Sequence, residues 1–348
     1  MFGEYLKKYR IANGLTQNQA VAKLNLLGGD LTNIDNVTFS RWERGATTPT
    51  LERSIRVLRE FTNNLEPYLS ETSRLRQQET IRKIRIEELD MWMKKKYYNL
   101  NSLIARANYH STSITKHNVV SEYSIGTSNN TDTDTDTDTD TDTDTIQSVL
   151  LFHKQTSDDY TKHGLRKIDV LNYCKQRRLV AYKYVDNITG ELLGHNVGAI
   201  FTPEVIHSEI ETLNQKSIDE IDLRRTVPYS QKRKLVYFLA SQHSLYERPF
   251  KRQIHRVFNF LAENANITDC YTTVSISSSV KLLEKMGFSI ISYEKKSTNG
   301  AIKVGMYQYS KAIMHIKTSQ LFAQPEFLHL LKDCQTCSVP CSVNSQHY

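Results

Sequence analysis

Seven consecutive Thr-Asp pairs, from Thr131 to Asp144, most constrain what this chain can fold into. Alternating carboxylates resist burial, the stretch holds no apolar side chain, and like charges at every second residue push the backbone toward extension. The composition changes abruptly around it, so residues 121–146 read as a disordered linker between two folding units. A chain of 348 residues is long enough for two cores. The expected division is multidomain: an all-α bundle over residues 1–65, a helical connector over 66–120, the linker over 121–146, an α/β (α+β) mixed-sheet domain over 147–312, and a tail over 313–348.

Before the linker the signals are helical. Thr16 followed three residues later by Gln19 is a capping box, which satisfies two amides left without partners at a helix start. Leu15, Ala20 and Leu24 supply an apolar stripe. In the next helix Val37, Phe39 and Trp42 are expected to pack inward and turn Asn36, Thr38 and Arg41 outward. Gly45 ends that helix, and Thr50 caps a fourth in which Leu51, Ile55, Leu58 and Phe61 recur at spacings of three and four. Residues 70–108 contain no Gly or Pro, and Leu89, Met93, Tyr97, Leu100 and Ile104 mark a long amphipathic helix. It serves either as a dimer-forming connector or as a helix packed back on its own bundle.

The run Ser40-Arg41-Trp42-Glu43-Arg44-Gly45, with the capping box before it and Thr48-Pro49-Thr50-Leu51-Glu52 after it, resembles the helix-turn-helix of the Cro and lambda-repressor-like (XRE) family over roughly residues 2–62. That resemblance implies double-stranded DNA as partner, with Gln17 on the phosphate backbone, Asn36, Thr38 and Arg41 at base edges in the major groove, and Arg44 back on phosphate. It departs from the family in the ten residues Leu26 to Asp35, which replace a short turn. A homodimer would present two recognition helices to half-sites one turn apart. Charge agrees: the chain carries a formal +7, and its first 120 residues hold 19 Lys and Arg against 12 Asp and Glu. Lys94-Lys95-Lys96 read as a solvated face. The acidic tract is a spacer, or else a mimic of DNA that competes for the basic head. No run of 18 apolar residues and no signal-peptide core is present, so a membrane partner is not expected and the cytoplasm is the default location.

After the linker the pattern is mixed. Leu179 to Val185 and Leu192 to Phe201 read as a hairpin around Asp186-Asn187-Ile188-Thr189-Gly190, and Leu235 to Ala240 as a central strand. A helix over about Arg252 to Asn264, a strand at Cys270 to Val274, a Ser-capped helix from Ser277 to Gly287, and strands at Ser289 to Tyr293 and Lys303 to Tyr309 follow. This order, with Val280 to Phe288 matching a Leu-Tyr-Glu-Lys-x-Gly-Phe segment, resembles the GNAT acyltransferase fold over residues 150–310. The resemblance implies acyl-CoA in a cleft between two splayed strands, its pyrophosphate at a helix start. The matching stretch, Arg248 to His255, has no glycine, so Lys251, Arg252, Gln253 and Arg256 stand where backbone amides would. Leu283 occupies the place of a proton-donating Tyr and Ser275 that of an Asn, and no general base is identifiable, Glu191 and Glu247 being merely carboxylates in plausible loops.

The reading that results is a sequence-specific DNA-binding transcriptional regulator whose GNAT-like module senses a small-molecule effector or holds a partner, without a catalytic residue assigned. The alternative is an acyl-CoA-dependent N-acyltransferase carrying a DNA-binding domain. Cys174 and Cys270 read as buried thiols. Cys334, Cys337 and Cys341, flanked by His329 and His347, have spacings open to zinc, an iron-sulfur cluster or a disulfide, and read first as reduced thiols in a mobile end, with no metal assigned.

Overall fold

The computed structural model describes residues 1–75, 120–126, 135–156, 160–214, 216–245, 247–294, 296, 300 and 302–324. Two compact units emerge: one formed by residues 1–75 with Arg256–Thr268 and residues 317–324, the other by the rest. The first therefore does not end at residue 65, as the division by composition expected. The connector beyond residue 75 and the cysteine tail lie outside the described residues.

Unit 1 begins with five helices: α1 (Phe2–Ala12), α2 (Gln17–Asn25), α3 (Asn36–Glu43), α4 (Leu51–Arg59) and α5 (Glu66–Leu75). The capping box forms as expected, with the Thr16 hydroxyl accepting from Gln19 N at 3.2 Å and Gln19 Oε1 accepting from Thr16 N at 2.9 Å. Asp35 Oδ1 caps α3 by accepting from Thr38 N at 2.6 Å, and Thr50 caps α4. Gly45 follows α3 at φ +71, a conformation that favours glycine. Leu6, Ala20, Leu24, Phe39, Ile55 and Leu58 fill the core.

The ten-residue insertion is not a loose loop. Leu31 and Ile34 are buried, Asn25 bonds both the N–H and the C=O of Ile34, and Asp30 is held by Arg53 through its carbonyl and by Arg56 through its carboxylate. The start of α3 is thus fixed from both sides.

Unit 2 runs β1 (Val120–Ser124), α6 (Thr135–Thr156), α7 (Val170–Lys175), β2 (Leu179–Asp186), β3 (Leu192–Phe201), α8 (Pro203–Glu211) and β4 (Leu235–Ser244). Helix α9 (Glu247–Glu263), β5 (Ile267–Val274), α10 (Ser277–Lys285), β6 (Ser289–Tyr293), β7 (Ile302–Val304), β8 (Tyr307–Tyr309), β9 (Ala312–Lys317) and α11 (Thr318–Ala323) follow. Of these, the last turns of α9, the start of β5 and α11 belong to unit 1. There Arg59 donates to Thr318 Oγ1 at 2.6 Å, Leu65 N to Ala262 O at 2.9 Å, and Phe258 meets Phe322 edge-on at 6.0 Å.

Seven strands form one sheet in the order β1-β2-β3-β4-β5-β9-β6, while β7 and β8 make a separate hairpin. The hairpin β2–β3 pairs Leu179 with Ala199, and its turn closes as Asp186 Oδ1 accepts from Ile188 N and Thr189 N. Helix α9 connects the neighbouring strands β4 and β5. Val197, Ala199, Phe201, Val236 and Phe238 form one core face, beneath Val149, Val170 and Ile206 of the helices.

Four expectations differ here. The acidic tract is helical from Thr135 onward and continuous with the apolar residues Ile146, Val149 and Leu150, which pack on the core. Asp142 within it is buried, pairing with Lys183 Nζ at 2.7 Å and accepting from Gly126 N at 2.9 Å. The Asp142 carboxylate is thus paired within the fold, and the linker reading fails for residues 135–146. The expected strand Lys303 to Tyr309 turns back at Gly305. Strand β9 lies beyond the expected domain end at 312 and inserts between β5 and β6. No side chain caps α10, although Gly287 ends it at φ +85 as expected.

Candidate functional site

The first candidate site is the outer face of α3. At about 100° of rotation per residue, Phe39, Trp42 and Glu43 cluster on one side, and all three are buried. The opposite side carries Val37, Arg41 and Arg44 in a line, one helical turn apart, with Asn36 and Ser40 along one margin. Asn36, Arg41 and Arg44 are exposed, as the resemblance implied. Val37 is 57% exposed whereas Phe39 is at 0%, so the expectation that Val37 packs inward is corrected. The helical angle explains it: Val37 stands nearly opposite Phe39.

Thr38 is also corrected. It is half-buried, and its hydroxyl bonds the Asp35 carboxylate, which that bond, the Thr38 amide and the nearby Arg41 charge together hold below the usual carboxylate range. Gln17 does not project outward either. Its Nε2 donates to Glu43 Oε2 at 2.6 Å, while Arg10 grips the same carboxylate through Nε at 2.6 Å and Nη2 at 3.1 Å. Three donors from α1 and α2 thus fix the buried end of α3.

The second candidate is a polar cluster inside unit 2 that sequence reasoning missed. Ser241 Oγ on β4 lies 2.7 Å from His153 Nε2 of α6 and 2.8 Å from His195 Nε2 of β3. A hydroxyl has one proton to give, so one imidazole accepts from Ser241 and the other donates to it, and the two rings are opposite tautomers at Nε2. His163 stacks on His153 with ring centroids 4.1 Å apart and accepts from Leu165 N through Nδ1 at 3.2 Å. Phe152 covers His243 at 4.6 Å. Beside Ser241, a bulge in the β3–β4 pairing leaves Ala240 without a partner residue.

Burial lowers all three of these imidazoles: His153 to about 2, with His163 adding repulsion, His163 below its ordinary value, and His195 far below it. Burial thus favours the uncharged rings, and the cluster is a neutral polar core. The four histidines are spread over residues 153–243 and share no motif. The one sequence signal was His195 among Leu193, Val197, Ala199 and Phe201, the alternate and otherwise apolar positions of β3.

The residues expected to cradle acyl-CoA lie in the first turns of one helix. Helix α9 begins two residues after β4, so Lys251, Arg252, Gln253 and Arg256 are all helical. Gln253 is fully buried, donating through Nε2 to His243 O at 2.6 Å and His195 O at 3.2 Å, and accepting from Gln242. A Cβ on Gly194 would stand 2.7 Å from the backbone oxygen of His243, which cannot give way, and 2.7 Å from that Nε2, so glycine is required there. Arg252 Nη2 donates to Val120 O at 3.1 Å. Gln253 therefore serves the fold, while Arg252 keeps a buried Nε without a hydrogen-bond partner. Lys251 and Arg256 are half-buried, as is Leu283, which offers no proton. The Cys174 and Cys270 thiols are buried, and burial pushes both up to about 12. Among the described residues no group of three His, Cys, Asp or Glu could hold a metal, and no helix is long and apolar enough to cross a membrane.

No family matches the chain by sequence, and no curated protein does. Solved structures show a distant likeness, and three of them illustrate it. NAA60 of Arabidopsis thaliana in complex with acetyl-CoA is 9% identical, with 57% of this chain and 98% of that one covered at a TM-score of 0.32. An N-acetyltransferase from Staphylococcus aureus Mu50 is 11% identical over 57% and 97%, at 0.29. Arylalkylamine N-acetyltransferase 2 from Aedes aegypti is 14% identical over 50% and 86%, at 0.30. Scores of this size decide neither fold nor activity, and the strand order above stands by itself.

Proposed function

We propose that this chain is a sequence-specific double-stranded DNA-binding protein, a transcriptional regulator that reads its site with the outer face of α3. One observation carries the reading: Arg41 and Arg44 project from the face opposite a buried Phe39 and Trp42, on a helix whose start and buried end are both fixed. A rigid helix presenting cations and a carboxamide, Asn36, is what base-edge and phosphate contacts in a major groove require. Of the residues implied by resemblance, Asn36 and Arg41 keep a base-reading role, Arg44 a phosphate role, and Gln17 and Thr38 support α3 instead. Selection of duplexes from a random library by the full chain tests this. Convergence on one sequence is expected, and two-fold symmetric half-sites would mark a homodimer; recovery of unrelated sequences would end the reading.

A second reading attaches to unit 2: an acyl-CoA-dependent N-acyltransferase of GNAT type. The strand order with α9 crossing from β4 to β5 favours it, since that is the arrangement the resemblance implies. The commitment of Gln253 to the carbonyls of His195 and His243 counts against it and favours a module that senses an effector or holds a partner. Titration calorimetry with CoA decides between them. Heat abolished by Lys251→Ala supports the transferase, and no heat leaves the sensing module.

A further inference from the structure

The exposed face of α3 carries one apolar side chain. Arg41 and Arg44 carry charge, Asn36 and Ser40 carry hydrogen-bonding groups, and Val37 sits in line with the two arginines at the amino-terminal end. It is among the most exposed large apolar side chains of the described residues, on the one helix face whose other members are all polar. A recognition helix enters the major groove by its amino-terminal end. The groove offers a single apolar feature, the C5 methyl of thymine, and all its other edge groups are hydrogen-bond donors or acceptors.

We propose, building on the DNA-binding reading, that Val37 is a specificity-determining residue that packs its methyl groups against the C5 methyl of a thymine. That thymine lies about one to two base pairs from the base Arg41 reads, since one helical turn advances about 5.4 Å. The two side chains together demand a thymine beside a base pair that offers acceptors to a guanidinium. Valine has no donor or acceptor with which to read any other base edge. A lone apolar side chain on a surface is common and often inert, and that is the outcome the test must exclude.

The test uses the full chain and its selected duplex at one fixed salt concentration. Each thymine is replaced singly by deoxyuridine, which removes the methyl and leaves pairing intact, and binding is followed by fluorescence anisotropy. The wild-type protein is expected to lose about four-fold in affinity at one thymine per half-site, the size of one buried methyl. Val37→Ala should bind the thymine and deoxyuridine duplexes alike, and Val37→Thr, which keeps one methyl, should fall between. Because Val37 is exposed, the variants should melt with the wild type. If no deoxyuridine position matters, or if Val37→Ala keeps the same sensitivity, the proposal is overturned while DNA binding stands. If no sequence is selected at all, the DNA-binding reading itself falls and takes the proposal with it.

Discussion

Each unit buries a polar cluster, and the two are built on opposite principles. In unit 1 the Glu43 carboxylate is buried with its charge, and Arg10 and Gln17 supply three hydrogen bonds to it. In unit 2 His153, His163 and His195 are buried as neutral rings around Ser241. The first cluster joins three helices through charge, and the second joins a helix to two strands by staying uncharged. A buried ion pair is vulnerable to loss of a partner. A buried imidazole is vulnerable to protons.

The largest expected effect is therefore acid sensitivity confined to unit 2. The folded imidazoles titrate below the ordinary histidine value of 6.5, so below that value the unfolded chain binds protons that the folded unit refuses. Stability then falls as pH drops through 6.5, by up to about 1.4 kcal/mol per pH unit for each histidine. His153, held at about 2, refuses its proton throughout, so its contribution to the loss keeps growing as the pH falls toward 5. Thermal melts from pH 7.5 to 5 check this, and His153→Gln with His163→Gln should flatten the slope. A slope unchanged by the pair would break the comparison.

Next in size is loss of the carboxylate in unit 1. Glu43→Gln leaves the Arg10 guanidinium, itself 12% exposed, beside a neutral amide and should cost about 3 to 5 kcal/mol. Replacing Arg10 and Glu43 together by Met and Leu should recover most of that loss, because no charge is then stranded. Chemical denaturation measures both. Equal losses from the single and the paired change would mean that the contact contributes through shape and not through charge.

Local signals made part of this legible beforehand. The Thr16 capping box, the Thr50 cap, the burial of Phe39 and Trp42, and the β2–β3 hairpin are set by residues near one another in the chain, and they stand where expected. Val37 was misplaced although the helical angle alone put it opposite Phe39. Other features were not local. The Thr-Asp tract read as a linker because its partner Lys183 lies 41 residues away, and Gln253 read as a ligand group because the carbonyls it bonds belong to β3 and β4. The Ser241 cluster draws on three elements. Residues that find partners only through tertiary contact leave no spacing to read.

The central claim is that α3 reads sequence, and one affinity comparison tests it most directly. Dissociation constants are measured at one salt concentration for wild type and Arg41→Ala, each on the selected duplex and on a scrambled duplex of the same composition. Arg41→Ala should weaken the selected duplex by about 1 to 3 kcal/mol and leave the scrambled one nearly unchanged. Equal weakening on both duplexes, or none on either, would contradict a base-reading role for this face.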